Sequence, residues 1–198
     1  MTRHRFYPGL WATFCCIVVA SVCQAQYMKG ETVVSAGAGL LFPTGVFSET
    51  VKGDYSLHVS GEYVLNPSWA LGARLSYLTF DAEALATVAT GLLRTRYLAF
   101  DLHAKLYLYP ESWFTPYAQG GLGLYADRSF SGSGPSEQIA DATRLGLTGG
   151  FGLSAHRQAG RSSVFTEVIY HHLLTDSRSK QFVQWSAGLR FSFGGRPF

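Results

Sequence analysis

Apolar and polar residues alternate along most of this chain, in eight segments separated by turn-forming or glycine-rich stretches. In the last of them, Trp185, Ala187 and Leu189 stand between polar or small residues. A two-residue period places successive side chains on opposite faces of a β-strand. The pattern predicts eight strands at 31–42, 54–65, 69–80, 95–108, 113–126, 144–155, 162–173 and 183–193. Helical periodicity is nowhere sustained, although 82–90 (AEALATVAT) is typical of a short helical turn within a loop.

Short and long connections alternate between these segments. Asn66-Pro67-Ser68 and Pro110-Glu111-Ser112 have the composition of tight turns. The longer polar or glycine-rich connections are 43–53, 81–94 and 127–142, and the last two connections, 156–161 and 174–180, differ little in length. Short turns at one end, long loops at the other and an even strand number are typical of outer-membrane barrels, with both chain termini at the short-turn end.

The two faces of the predicted strands differ in chemistry. One face consists almost entirely of Leu, Val, Phe, Tyr, Trp, Ala and Gly, with aromatic residues near both strand ends, as at lipid interfaces. The other is rich in Gly and Ser and carries opposed charges, which suits a narrow lumen filled with paired side chains. The predicted lumen charges are Asp54, Glu62, Arg74, Asp101, Lys105, Arg144, Glu167 and Arg190.

These features predict an all-β fold: an eight-stranded antiparallel up-and-down transmembrane β-barrel. A soluble periplasmic ligand-binding barrel, with its apolar face inside, is the alternative fold. Hydrophobic residues make up 47% of the chain and charged residues 15%, which excludes a disordered protein. Eight strands leave an interior just wide enough for side chains, so a large diffusion pore is not expected.

The N-terminus has the layout of a secretory signal peptide. A basic start at 3–5 is followed by an apolar stretch at 10–22 and by small residues at the −3 and −1 positions of a cleavage site, Cys23 and Ala25. We therefore predict a signal peptide at 1–25 and a barrel domain at 26–198. A lipoprotein signal at Cys23 is less favoured because Val22 precedes it.

All three cysteines lie within the predicted signal peptide. The mature chain is then free of disulfides and thiolate metal sites. It is also nearly neutral, because two of the basic residues belong to the predicted signal peptide. We accordingly expect no nucleic-acid partner.

In its alternating strands and its connections, the chain resembles the eight-stranded outer-membrane barrel family, which includes the OmpA-type transmembrane domain and small opacity-type proteins. The sharpest local match is the segment 186–193, similar to the family's C-terminal insertion signal. The resemblance implies that Ser186, Gly188, Phe191 and Phe193 are read by the barrel-assembly machinery. The family usually stops at the aromatic residue, whereas this chain continues for five residues past Phe193.

Several sequence patterns are compatible with a cofactor, metal or catalytic site. Two glycine patterns, at 121–126 and 150–155, match a loose dinucleotide fingerprint, which needs a following helix that neither has. His171 and His172 are neighbours on a strand, so their rings point to opposite faces and cannot easily share a metal ion. Asp101, His103 and Lys105 share a face and, with His58 and Glu62, could form an acid–base site, but a packed lumen with paired charges explains them equally.

We therefore expect no catalytic, cofactor or metal site. The predicted role is non-enzymatic, in envelope structure or in adhesin-like surface interaction through the long loops. The expected partners are outer-membrane lipids and lipopolysaccharide, with the barrel-assembly machinery during insertion, and the expected state is a monomer. The alternative function is a lipid A-modifying enzyme of the acyltransferase or deacylase type. The deacylase resemblance would need a His-x-Ser pair, and the segment 171–174 (HHLL) has no serine. The acyltransferase resemblance would need an amphipathic helix before the first strand, and the predicted mature segment 26–30 is too short for one.

Overall fold

The computed structural model describes residues 29–82, 92–110, 112–131, 138–156, 161–175 and 180–194. They form eight antiparallel strands in which each pairs with its neighbour in sequence and the first pairs with the last, closing a barrel. The strands are β1 (Glu31–Thr44), β2 (Val51–Asn66), β3 (Trp69–Ala82), β4 (Leu92–Tyr107), β5 (Phe114–Ser131), β6 (Gln138–His156), β7 (Ser162–Leu173) and β8 (Lys180–Gly194). The predicted fold class is confirmed, including all eight strands. The predicted signal peptide lies outside the described residues.

The barrel closes through a continuous ladder between β1 and β8, which pairs Glu31 with Gly194 at one end and Thr44 with Gln181 at the other. Glycines face each other at its centre, where Gly37 pairs with Gly188. A Cβ atom on Gly188 would lie against the carbonyl oxygen of Ala36. The close approach of these two strands therefore requires glycine at this position.

The long connections are shorter than predicted. The predicted loop 127–142 is wrong at both of its ends, because β5 continues to Ser131 and β6 begins at Gln138. Alternation of apolar and polar residues identifies a strand only where one of its faces is apolar. Where a strand continues beyond the part that contacts lipid, both faces are polar and the pattern no longer identifies it. The first long connection contains a 3-10 turn at Gly45–Glu49. Residues 83–90 of the predicted helical turn lie outside the described residues.

The apolar face points outward. Large hydrophobic side chains on every strand are exposed, among them Leu57, Leu71, Phe100, Leu122, Leu145, Val164 and Leu189. Aromatic side chains beside the short turns are exposed too, among them Tyr63, Trp69, Tyr109, Trp113 and Phe114. A water-soluble protein does not expose a continuous apolar belt of this kind. The soluble-barrel alternative is therefore wrong in its assignment of the two faces.

In the described part of the chain, no helix is long and apolar enough to cross a membrane.

Two groups of buried apolar side chains fill the ends of the interior. We call the group at the long-loop end the long-loop plug: Leu41, Phe47, Val51, Leu78, Phe80, Tyr97, Ala99, Tyr125, Leu173 and Phe182. The group at the other end, the short-turn plug, consists of Val33, Val64, Ala70, Tyr107 and Tyr117. Phe47 is the one member contributed by the 3-10 turn, and its ring packs at 5.2 Å from that of Phe80. Most of the predicted lumen charges lie between the two plugs.

The two dinucleotide-like glycine patterns lie within β5 and β6, which are neighbouring strands. Their inward glycines make room for tyrosine rings: a Cβ on Gly123 would lie 2.9 Å from the ring of Tyr125, and one on Gly152 would clash with Tyr117. These glycines therefore allow large side chains to pack inside a narrow barrel.

Two linked hydrogen bonds join β7 and β8 on the outer face. Nε1 of Trp185 donates to Oγ1 of Thr166 at 3.1 Å, and Oγ1 of Thr166 donates to the carbonyl oxygen of Ser186 at 3.2 Å. Thr166→Val keeps the shape but leaves the indole N–H unpaired on the apolar surface. We expect the free energy of unfolding to fall by about 0.5–1.5 kcal/mol. Urea titration of the refolded protein in lipid vesicles measures this.

Trp185→Phe is the matched control for this bond. In the Trp185→Phe background, Thr166→Val should cost much less, because the donor is already gone. Equal costs in the two backgrounds would show that the hydrogen bond contributes nothing to stability.

Candidate functional site: the charged interior of the barrel

The interior between the plugs contains six of the eight predicted lumen charges. We call these six residues the lumen cluster: Glu62, Arg74, Asp101, Lys105, Glu167 and Arg190. They come from five different strands, and all are buried. Each lies on the inward-facing parity of its strand, which is why residues far apart in sequence meet in the centre.

Glu167 is the most connected member of the lumen cluster. Its carboxylate lies 2.9 Å from Nη2 of Arg74 and 3.9 Å from Nη2 of Arg190. It accepts hydrogen bonds from the hydroxyls of Tyr117 at 2.9 Å and Ser186 at 3.3 Å. Arg190 in turn donates to the hydroxyl of Tyr117 at 2.7 Å. One buried carboxylate thus holds two guanidinium groups in place.

Glu62 organises the second half of the lumen cluster. Nζ of Lys105 donates to Oε1 of Glu62 at 2.6 Å, and the hydroxyl of Tyr107 donates to Oε2 at 3.0 Å. The Lys105 ammonium also lies 4.5 Å from the ring centroid of Tyr117, a cation–π contact with the short-turn plug. Tyr107 and Tyr117 therefore connect the apolar plug to both carboxylates.

The residues of the possible acid–base site do lie near one another. His103 lies 3.3 Å from Asp101 and 3.9 Å from Glu62, and His58 lies 3.7 Å from Glu167. All of them are buried, between two apolar plugs. A substrate reaching these groups would have to displace one of the plugs. The interior therefore contains the residue types of an acid–base site, but the two plugs separate these residues from any substrate outside the barrel.

A second polar group lies towards the long-loop end. His171 packs its ring against Phe182 at 4.5 Å and shares hydrogen bonds with the Tyr125 hydroxyl at 2.8 Å and the Gln184 amide oxygen at 3.1 Å. Gln184 continues to the hydroxyl of Ser56 at 3.1 Å. His172 is on the other face of β7, beside the side chain of Gln181 at 3.2 Å. The two histidine rings thus lie on opposite faces of the strand.

The remaining two predicted charges lie near the long-loop end. Arg144 is 25% exposed and lies 3.6 Å from Asp127. Asp127 also accepts a hydrogen bond from Lys180 at 3.1 Å, and Lys180 donates to the hydroxyl of Tyr97 at 2.7 Å. Asp54 is half-buried, and among the described residues no ion pair includes it. The pairing of β2 with β3 is irregular between Gly53 and Ser56, so strict alternation ends at this point.

Sequence reasoning missed Asp127 and Lys180, because the predicted loops 127–142 and 174–180 contained them. The inward position of Asp127 could have been predicted from its place in the strand, because it is two residues beyond Tyr125, which points inward. The same parity continues along β5 past the end of the predicted strand.

The four residues of the predicted insertion signal lie on both faces of β8. Ser186 is buried and bonded to Glu167, and a Cβ on Gly188 would lie 2.8 Å from the ring of Phe165. Phe191 and Phe193 are exposed on the outer face. The described residues contain no group of three or more His, Cys, Asp or Glu side chains arranged to hold a metal ion.

Among the described residues, shallow grooves lie on the outer face of β1 to β4, and two of them have similar size. Each has a volume of about 320 Å³. One is lined by residues such as Val34, Val59 and Phe100, and the other by Ala36, Leu57 and Leu98. Both are almost entirely apolar and open along the barrel surface, as expected of a surface in contact with acyl chains.

Comparison with known proteins agrees with this geometry. A family model described as "Outer membrane protein beta-barrel domain" matches residues 12–196. No curated protein sequence matches the chain significantly.

Among solved structures, the chain is similar to Neisserial surface protein A (NspA), with 17% identity and a TM-score of 0.60 over 83% of this chain and 100% of that one. It is similar to OprG from Pseudomonas aeruginosa, with 16% identity and a TM-score of 0.57 over 85% and 98%. It is also similar to Ail, the attachment invasion locus protein of Yersinia pestis, with 15% identity and a TM-score of 0.54 over 84% and 100%. At these identities the similarity shows a shared fold.

Proposed function

The chain belongs to the outer membrane protein β-barrel family, and from this premise we propose that it is a small, monomeric, non-enzymatic surface protein of a diderm bacterium. In this proposal the barrel is an anchor in the outer membrane. The parts of the chain at the long-loop end have an envelope-structural or adhesin-like role, in contact with partners outside the cell.

The observation that carries the proposal is the filling of the interior. The lumen cluster is buried and internally paired, and an apolar plug lies on each side of it. Such an interior supports neither a wide channel nor a site open to substrate. Function in a rigid scaffold of this kind is then expected in the connections at the long-loop end, between β1 and β2, between β3 and β4 and between β5 and β6. One of the structurally similar proteins, Ail, is the attachment invasion locus protein of Yersinia pestis.

Export and insertion complete the proposal. A cleaved signal peptide at 1–25 takes the chain across the inner membrane. The barrel-assembly machinery then reads Ser186, Gly188, Phe191 and Phe193. Phe191 and Phe193 are exposed side by side on one face of β8, where a protein receptor can reach them before lipid covers them. After insertion, phospholipid and lipopolysaccharide chains cover the apolar outer face.

Cell fractionation and electrophoresis test the membrane part of the proposal. The protein should be found in the outer membrane, and its band should move when the sample is boiled, because a closed ladder of eight strands resists detergent until heated. The band should begin at Gln26 when its N-terminal residues are sequenced. A protein released by osmotic shock, with no mobility shift, would contradict the proposal.

Mass spectrometry of lipid A tests the non-enzymatic part. Cells that express the protein should have the same lipid A acylation as cells with an empty vector, because the described histidines and carboxylates of the interior are shielded from lipid. Expression of a known lipid A deacylase is the positive control. A gained or lost acyl chain would favour the lipid A-modifying alternative.

A further inference from the structure

Two cationic side chains lie at the mouth of the barrel, the opening at its long-loop end. Arg144 of β6 and Lys180 of β8 are on the inward-facing parity of their strands, and their side chains are 25% and 26% exposed. The long-loop plug fills the interior below them. The ring of Tyr125, which pairs with Arg144 in the ladder, lies where a Cβ on Gly146 would be 2.7 Å from it. The exposed parts of both cations therefore face the mouth.

The two cations share one carboxylate. Oδ2 of Asp127 lies 3.1 Å from Nζ of Lys180 and 3.6 Å from Nη2 of Arg144, and the Asp127 side chain is only 2% exposed. Neither cation has another ion pair in the parts of the chain that the structure describes. Because two positive charges face a single buried negative charge, one positive charge at the mouth is left uncompensated.

Most hydrogen-bond donors of these two side chains are unused. An ammonium group has three donors, and Lys180 gives one to Asp127 and one to the hydroxyl of Tyr97 at 2.7 Å. A guanidinium has five, and among the described residues no group accepts a hydrogen bond from that of Arg144, whose distance of 3.6 Å to Asp127 is too long for one. Nζ of Lys180 also lies 5.6 Å from the ring centroid of Phe47. A fixed ammonium and a guanidinium with unused donors thus lie at the mouth together.

We propose that Arg144 and Lys180 bind the carboxylate of a ligand that enters the mouth from outside the cell. The inference rests on the proposed surface role, which places the long-loop end outside, and it names the chemistry that this end recognises. A guanidinium matches the two oxygens of a carboxylate. Because both cations already reach one oxygen of Asp127, they are close enough for a second carboxylate to contact both.

The charge of the site distinguishes a carboxylate from a phosphate. A carboxylate carries the single negative charge that the two cations and Asp127 together lack. A phosphate monoester carries about −1.5 to −2 charges at neutral pH, and the surplus is repelled by the buried carboxylate of Asp127. A singly charged acid is therefore the ligand class that fits the mouth.

Sodium acetate is the first probe, titrated against the refolded full chain in nanodiscs at an ionic strength kept constant with sodium chloride. The backbone amide signal of Lys180, followed by NMR, should shift and saturate at millimolar acetate. Arg144→Gln should weaken binding by about tenfold, equivalent to one charge-assisted hydrogen bond. Arg144→Lys, which keeps the charge but not the planar fork, should have an intermediate affinity. Heat-dependent mobility verifies that both variants fold, and Lys180 still pairs with Asp127 in each.

Lys52→Gln is the matched control, because it removes one positive charge from an exposed position of β2 at the same end of the barrel. It should bind acetate within about twofold of wild type, since salt screens exposed charges. Equal losses in Lys52→Gln and Arg144→Gln, or no acetate shift in wild type beyond that caused by sodium chloride, would overturn the inference. Inorganic phosphate that binds about tenfold or more tightly than acetate would overturn the assignment to a carboxylate.

Two peptides then separate the sources of the carboxylate. One is acetyl-Gly-Glu-Gly-amide, and the other has Gln in place of Glu. Binding of the Glu peptide as tightly as acetate, without binding of the Gln peptide, supports the site and identifies an acidic side chain of a partner polypeptide as a ligand. Binding of acetate alone supports the site for small carboxylic acids.

These outcomes are distinct from those of the proposed function. If the protein is found in the outer membrane with a heat-dependent mobility but acetate fails to bind, the carboxylate site is wrong and the membrane anchor stands. If the protein is soluble in the periplasm, the proposed function is wrong whatever acetate does.

Discussion

Replacing Glu167 with alanine is expected to lower the free energy of unfolding by about 3–5 kcal/mol, which is the usual cost of removing one partner from a buried ion pair. The change leaves the guanidinium groups of Arg74 and Arg190 in the interior without the carboxylate that lies between them. It also removes the acceptor for the hydroxyl of Tyr117. Urea-dependent unfolding of the refolded protein in vesicles, followed by tryptophan fluorescence, measures the loss.

Asp54→Asn is the matched control, since it removes one carboxylate from the predicted set of lumen charges at a half-buried position. It should change the free energy of unfolding by no more than about 0.5 kcal/mol. Glu167→Gln, which keeps the shape, should lie between the two. If Glu167→Ala lowers the free energy of unfolding no more than Asp54→Asn does, the interior contains enough water to screen its charges. The two plugs would then not close the barrel.

The second large effect is expected at Gly150. A Cβ atom there would collide with the carbonyl oxygen of Val168 and lie 2.8 Å from Cα of Ile169, both on the backbone of β7. Backbone atoms of a paired strand cannot give way as a flexible side chain can. Gly150→Ala should therefore destabilise the barrel by about 1–3 kcal/mol or prevent its closure. The fraction with unboiled mobility after refolding measures this.

The neighbouring residue provides the control for this prediction. A Cβ on Gly149 meets nothing within 4 Å, because that position points away from the interior. Gly149→Ala should be neutral or slightly stabilising, since alanine restricts the unfolded chain more than glycine does. Equal losses in the two variants would mean that glycine is needed in β6 for its backbone freedom rather than for space.

Much of the fold could be predicted from alternation. The two-residue period identified eight strands and assigned inward positions to Glu62, Arg74 and Glu167, because the face of a strand residue depends only on its place in the strand. The inward parity of Tyr97 and Tyr125 was also visible, and both are buried. The prediction was wrong where the chemistry of the faces no longer alternates, at the far ends of β5 and β6.

The sequence by itself determined the strands, their faces and the apolar outer belt, because these follow from local periodicity and from the requirement that lipid contact apolar side chains. Which charges meet was decided by the tertiary structure. Glu62 pairs with Lys105, 43 residues away, and Gln184 bonds to Ser56, 128 residues away. Such pairings depend on the stagger of strands around a closed barrel, which no single segment encodes.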